Sequence, residues 1–240
     1  MIKLPTKLLI IPGLFIAFSF CIFFKDVISN SFFRGEDGVI ELLSAFFYLS
    51  AVFICIYGLI KKNKHAPYLT LWMVLTFIFF GEETSWLQHI IGYQTPDQIL
   101  AVNDQKEFNL HNLKWFHRDS SLVEKIFSSQ NLFRVGFFTY FLIIPIIGLC
   151  KLDRGVFTKF NFPLPGHKFM IFIWAPIFAS LILTVFSTGP IKDVLAETRE
   201  MFYAASIFTY VTLIVFLPQE VPVIKTAAFR HKDFSSSSSR

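Results

Sequence analysis

Two adjacent glutamates, Glu82 and Glu83, follow directly on an apolar run and are the residues of this chain best suited to chemistry. From Leu69 to Phe80 every residue is apolar except Thr70 and Thr76. The chain then reads Gly81-Glu82-Glu83-Thr84-Ser85-Trp86-Leu87-Gln88-His89-Ile90-Ile91-Gly92. Twelve helical residues rise about 18 Å, whereas a bilayer core needs about 30 Å, or about 20 residues. A helix that starts in this run completes a crossing only by carrying Glu82, Glu83, Gln88 and His89 with it. Ionisable groups at that depth cost several kcal/mol and usually face a protein interior or a wet cavity. Two carboxylates close together in low dielectric push each other's pKa values apart, which suits one as acid and the other as base. On a continuous helix Glu82, Ser85 and His89 share one face, with Trp86 beside them, and Glu83 is turned about 100° away. Carboxylate and imidazole together are also a metal-binding set, so a divalent metal is a cofactor these residues could hold, with His111 as a further ligand. The competing reading is structural: Arg118, Arg134 or Arg199 neutralises the glutamates, which then only hold helices together.

His111 belongs to Asn109-Leu110-His111-Asn112-Leu113, inside a connection of about 93–131, too long to be a mere connector. Thr95-Pro96-Asp97-Gln98 has the form of a capping box with proline at the first helical position, and Ser121-Leu122-Val123-Glu124 has the same form. A short helix is expected after each. If this loop folds back over the end of the third helix, His111 comes near Glu82 as acid or ligand, while Asn109, Asn112 and Gln88 position a substrate. The plainer uses are a surface histidine and asparagines that form a turn. Two more acids open helices. Glu41, Ser44 and Tyr48 are spaced i, i+3, i+7 on one face, and Glu200 is followed by Tyr203 and Ala204. Glu41 and Glu200 would complete an acidic rim with Ser85 and Trp86, although a glutamate near a helix N-terminus is favoured by the dipole alone.

The elements that must position these residues follow from composition. The chain has 240 residues, 54% hydrophobic and 16% charged, against about 25% charged in soluble domains. Six apolar stretches, at about 8–24, 39–60, 68–91, 132–150, 169–188 and 199–217, predict an all-α polytopic membrane protein. The expected architecture is one domain over 1–234, a bundle of six transmembrane helices with a long outer loop containing short helices, and a low-complexity disordered tail at 235–240. Lys3 and Lys7 precede the first stretch as in a signal peptide, but no small-residue cleavage site follows it. With both termini cytoplasmic, the inner segments 1–7, 61–67, 151–168 and 218–240 carry 13 of the 22 Lys and Arg and only three acids, Asp153, Glu220 and Asp233. That asymmetry satisfies the positive-inside rule and places the protein in a cell (inner) membrane as a multi-pass protein. The basic net charge therefore reports topology. Membrane lipids are the expected partners, and nothing calls for nucleic acid. Cys21, Cys55 and Cys150 fall in or beside apolar stretches and read as packing residues. The 32 phenylalanines read as lipid-facing filler, and Pro12, Pro145 and Pro176 as membrane prolines or kinks.

The chain has no His-x-x-x-His, Gly-x-Ser-x-Gly, phosphate-loop or Cys-x-x-Cys motif. Ceramidase-like membrane hydrolases are similar only in their embedded acids and histidines, and their late histidine pair has no counterpart here. The run Gly81-Glu82-Glu83-Thr84-Ser85-Trp86-Leu87-Gln88, then Thr95-Pro96, then Asn109-Leu110-His111-Asn112-Leu113 resembles a group of uncharacterised bacterial polytopic membrane proteins with a GEExSWxQ and NLHN signature. Asp37-Gly38 followed by Glu41 fits the start of that pattern. The resemblance covers about residues 35–115 and implies no particular activity. The position of His89 is more often arginine in that group, which shifts weight onto Glu82, Glu83 and His111. The expectation from all of this is a membrane-embedded hydrolase or group transferase acting on a lipid or lipid-linked substrate at the outer leaflet. Glu82 or Glu83 would be base or metal ligand, and His111 acid or ligand. The alternative is a non-catalytic binding, transport or structural membrane protein that holds a cation, proton or lipid headgroup.

Overall fold

The structure, a computed structural model, describes residues 2, 4–24, 38–103, 106–110, 113–114, 129–153 and 155–217. Among the described residues the chain is helical, without a named strand. The long helices are α1 (Ile10–Phe24), α2 (Val39–Ile60), α3 (Ala66–Glu83), α4, α5 (His167–Val185) and α6 (Pro190–Phe216). Helix α4 runs as Ser129–Phe138, a π-helical turn Thr139–Ile143 and Ile144–Leu149. Four of them are long and apolar enough to cross a membrane: α2, α4 over Asn131–Leu149, α5 and α6. Helix α1 is shorter, and α3 carries both glutamates in its last turn. The tail after Leu217 lies outside the described residues.

Local chemistry starts and stops these helices. Proline stands in the first turn of α3 and of α6, where its missing N–H costs nothing. Glu41 and Asp193 lie in the first turns of α2 and α6, on the positive end of the dipole. Helix α6 begins nine residues before the expected 199, because Pro190 supplies that start. Pro145 cannot donate to the carbonyl of Phe141 one turn back. That carbonyl instead accepts the indole N–H of Trp174 on α5 at 3.0 Å, so the proline is accommodated by a neighbouring helix.

Helix α2 packs between α3 and α6, and α5 packs against α1 and α6. A small-residue face on α2 permits the close approach: Ser44, Ala45, Ala51, Cys55 and Gly58 are all buried. A Cβ on Gly58 would lie 2.7 Å from Leu69 of α3 and from Val215 of α6. The phenylalanines are not only lipid filler. Phe137, Phe141, Phe169, Phe172 and Phe202 are at most 5% exposed and form the core with Trp72 and Tyr210, whereas Phe46, Phe53, Phe77 and Phe178 face outward. Inside this core the indole of Trp72 donates to Tyr140 Oη at 3.2 Å. The Tyr140 and Tyr210 hydroxyls meet at 2.8 Å, and Tyr210 donates to the carbonyl of Pro163. Since that carbonyl only accepts, Tyr140 donates to Tyr210, and every member of the chain is satisfied.

Candidate functional site

Helix α3 stops at its second glutamate. It spans Ala66–Glu83, not 68–91, because Ser85, Trp86 and Leu87 adopt φ of 44°, 55° and 66°. Three consecutive non-glycine residues in the left-handed region cost about 1–2 kcal/mol each. The chain then resumes right-handed helix over Gln88–Ile91 and turns off at Gly92 with φ 77°. The single helical face expected to continue from Glu82 and Ser85 is therefore interrupted at Ser85–Leu87.

The break is held by residues from the following loop. Tyr93 donates its hydroxyl to the carbonyls of Ser85 and Trp86 at 3.0 and 3.3 Å. Ser85 Oγ donates to the carboxylate of Glu107. Asn109 donates its amide to Ser85 Oγ and to Glu107 Oε2, both at 3.0 Å, and Asn103 donates to Asn109 Oδ1 at 3.0 Å. Ser85, Asn103, Glu107 and Asn109 are each at most 7% exposed. Gln88 accepts the N–H of Phe108 at 2.8 Å and donates to Thr95 Oγ1 at 2.8 Å. Thr95 is thus taken by Gln88, and the short helix Asp97–Leu100 starts without a side-chain cap.

Glu82 completes this strap. Its Oε1 accepts the indole N–H of Trp86 at 3.0 Å, and its Oε2 accepts the N–H of Leu110 at 2.7 Å. The Trp86 ring folds back over Gly81, where an added Cβ would meet ring carbons at 2.7 Å, and packs edge-on against Phe77. Glu82, Ser85, Trp86, Gln88 and Asn109 are brought together, and their polar atoms bond to one another and to the loop.

Glu83, one position on, enters a different setting. The groups that act on it electrostatically are, strongest first, Glu200, Glu41, Glu197 and Glu82. Among the described residues it makes no hydrogen bond or ion pair. Tyr48 of α2 feels Glu83, Glu200 and Tyr203, so the N-terminal part of α2, the end of α3 and the N-terminal part of α6 converge here. Arg199 is 6% exposed, donates to Thr184 Oγ1 at 3.3 Å and lies beside Tyr203 together with Arg134. The carboxylates surround a region and do not meet at a point: among the described residues no three metal-ligating side chains converge.

Glu107, Asn103 and Tyr93 are site-forming residues that the sequence reading passed over. Asp104, Gln105 and Lys106 make Glu107 look like one more solvated loop acid, and nothing in its spacing betrays the contact with Ser85. His111, Asn112, Arg118, the Ser121 capping box and the side chain of His89 lie outside the described residues. Comparison of the chain with family models, with curated proteins and with solved structures found no match.

Proposed function

We propose that this chain is a multi-pass membrane protein that holds a positively charged group, carried on a lipid or lipid-linked molecule, in an acidic site. The site would lie at the ends of α2, α3 and α6, on the outer side of six crossing helices. One observation carries this reading: among the described residues Glu83 makes no hydrogen bond, while Glu41, Glu82, Glu197 and Glu200 all act on it electrostatically. Glu83 is half-buried, and a partly desolvated carboxylate facing other carboxylates is costly unless something compensates it; a bound cation does. A loose ring of acids suits a bulky ammonium headgroup better than a small metal ion, which needs convergent ligands. Binding of aminophospholipid by the protein in phosphatidylcholine nanodiscs, with calcium and magnesium in separate arms, tests it. Wild type should take up the aminophospholipid at least tenfold better than Glu83→Gln. Uptake of the divalent ions alone would reassign the site to a metal. Equal uptake by both proteins, or none by either, would overturn the reading.

Catalysis is the second reading, favoured by the same open carboxylate. Glu83 has lone pairs free to take a proton from water or from a substrate hydroxyl, as a general base in hydrolysis or group transfer requires. Glu82 is already occupied by Trp86 and Leu110, so the acid–base role falls to Glu83.

A further inference from the structure

The break after α3 contains no helix breaker. Thr84, Ser85, Trp86 and Leu87 include neither glycine nor proline, yet three of them sit at positive φ between two right-handed helical segments. Left to local preference these four residues would continue the helix, since for L-residues the right-handed form is favoured. What opposes it comes from further along the chain. Tyr93 pins the carbonyls of Ser85 and Trp86, Glu107 takes the hydroxyl of Ser85, and Gln88 takes the N–H of Phe108.

We infer that the end of α3 is a two-state element. Strapped, it is bent as described. Released, Ala66–Ile91 becomes one straight helix of about 39 Å at 1.5 Å per residue. Straightening withdraws Ser85 from Glu107 and swings Gln88–Ile91 off the loop, so loop release and helix extension are one event. Glu107 is the hinge pin, because its carboxylate bonds both Ser85 and Asn109. The exposed Lys106 at φ 61° immediately before it marks where the strap meets solvent. This inference is independent of what occupies the acidic site, since Glu83 precedes the break.

Spin labels read the two states directly. Leu71→Cys and Ile91→Cys are placed in a full-length protein whose Cys21, Cys55 and Cys150 are replaced by serine or alanine. Both labelled positions are exposed. Twenty residues of straight helix separate them by about 30 Å along the axis, and any bend shortens that. In nanodiscs, wild type should give mainly the shorter distance, and Glu107→Ala should move the majority population to the longer one. Adding Leu87→Gly, which removes the left-handed penalty at that residue, should return it to the shorter distance. A Glu107→Ala protein that keeps the wild-type distance would overturn the inference, as would a double variant that stays long. If Glu107→Ala does not fold, Tyr93→Phe is read in the same way, because it keeps the ring against Phe108 and loses only the hydroxyl.

Discussion

Glu82 and Glu83 differ by about 100° of helix rotation, and that rotation gives one carboxylate a loop to hold and the other a charged interior to face. Both oxygens of Glu82 accept N–H donors, one from Trp86 and one from Leu110. Glutamine at this position keeps one acceptor and sets an NH2 group against the other donor, which leaves a polar group unpaired at about 1–3 kcal/mol. The variant Glu82→Gln should therefore loosen the strap and leave the acidic site intact. Trypsin should cut after Lys106 about tenfold faster than in wild type, while aminophospholipid uptake stays within about twofold, the conversion following from about 1.4 kcal/mol per decade. Glu83→Gln should do the reverse. Equal proteolysis of the two variants would mean that Glu82 does not hold the loop. Serine and asparagine beside the glutamates were legible as polar neighbours. Their actual work, satisfying Glu107, was not legible, because it depends on contacts that cross more than twenty residues of loop.

At the scale of elements, the apolar stretches located the helices and failed where tertiary bonds override local preference. Helix α2 runs over 39–60 as its composition dictates, because nothing outside it competes for its backbone. The break in α3 had no local signal, since its cause lies at Tyr93 and Glu107. Pro145 shows the opposite case, a local signal whose consequence needed a neighbour to define it. The carbonyl of Phe141 that the proline orphans is met by Trp174, and the π-helical turn Thr139–Ile143 sits beside it. Trp174→Phe keeps most of the aromatic contact with Phe137 and Phe138 and removes only the donor. The expected loss is about 1–3 kcal/mol of stability, seen as a lower midpoint in thermal unfolding of the detergent-solubilised protein. A Trp174→Phe midpoint equal to wild type would show that Phe141 finds another donor. Tyr210→Phe should cost a similar amount, because it strands both the Tyr140 hydroxyl and the carbonyl of Pro163.

Among the described residues, lysines collect at one end of the molecule and most of the glutamates at the other. Asn63 reaches the carbonyl of Ile214, Tyr68 donates to that of Phe160, and Ile2 pairs with Leu164 and Gly166. The start of the chain, the α2–α3 turn, the α4–α5 connection and the end of α6 therefore meet at one pole, together with Lys7, Lys61, Lys62, Lys64, Lys159 and Lys168. The opposite pole gathers Glu41, Glu82, Glu83, Glu107, Glu197 and Glu200, with Lys106, Arg134 and Arg199 among them. The sequence reading anticipated this polarity from the lysine-rich turn, and chain connectivity enforces it, since antiparallel helices alternate their ends. Cytoplasmic loops are the ones enriched in Lys and Arg, so the basic pole is expected inside and the acidic pole outside. Reporter fusions after Lys64 and after Lys114 test this: an alkaline phosphatase moiety, active only outside, should be inactive at the first position and active at the second. Equal activity at both would remove the outward placement of the acidic site. A lipid headgroup from the outer leaflet would then have no route to Glu83, and only an inner-leaflet or soluble cation would remain as its ligand.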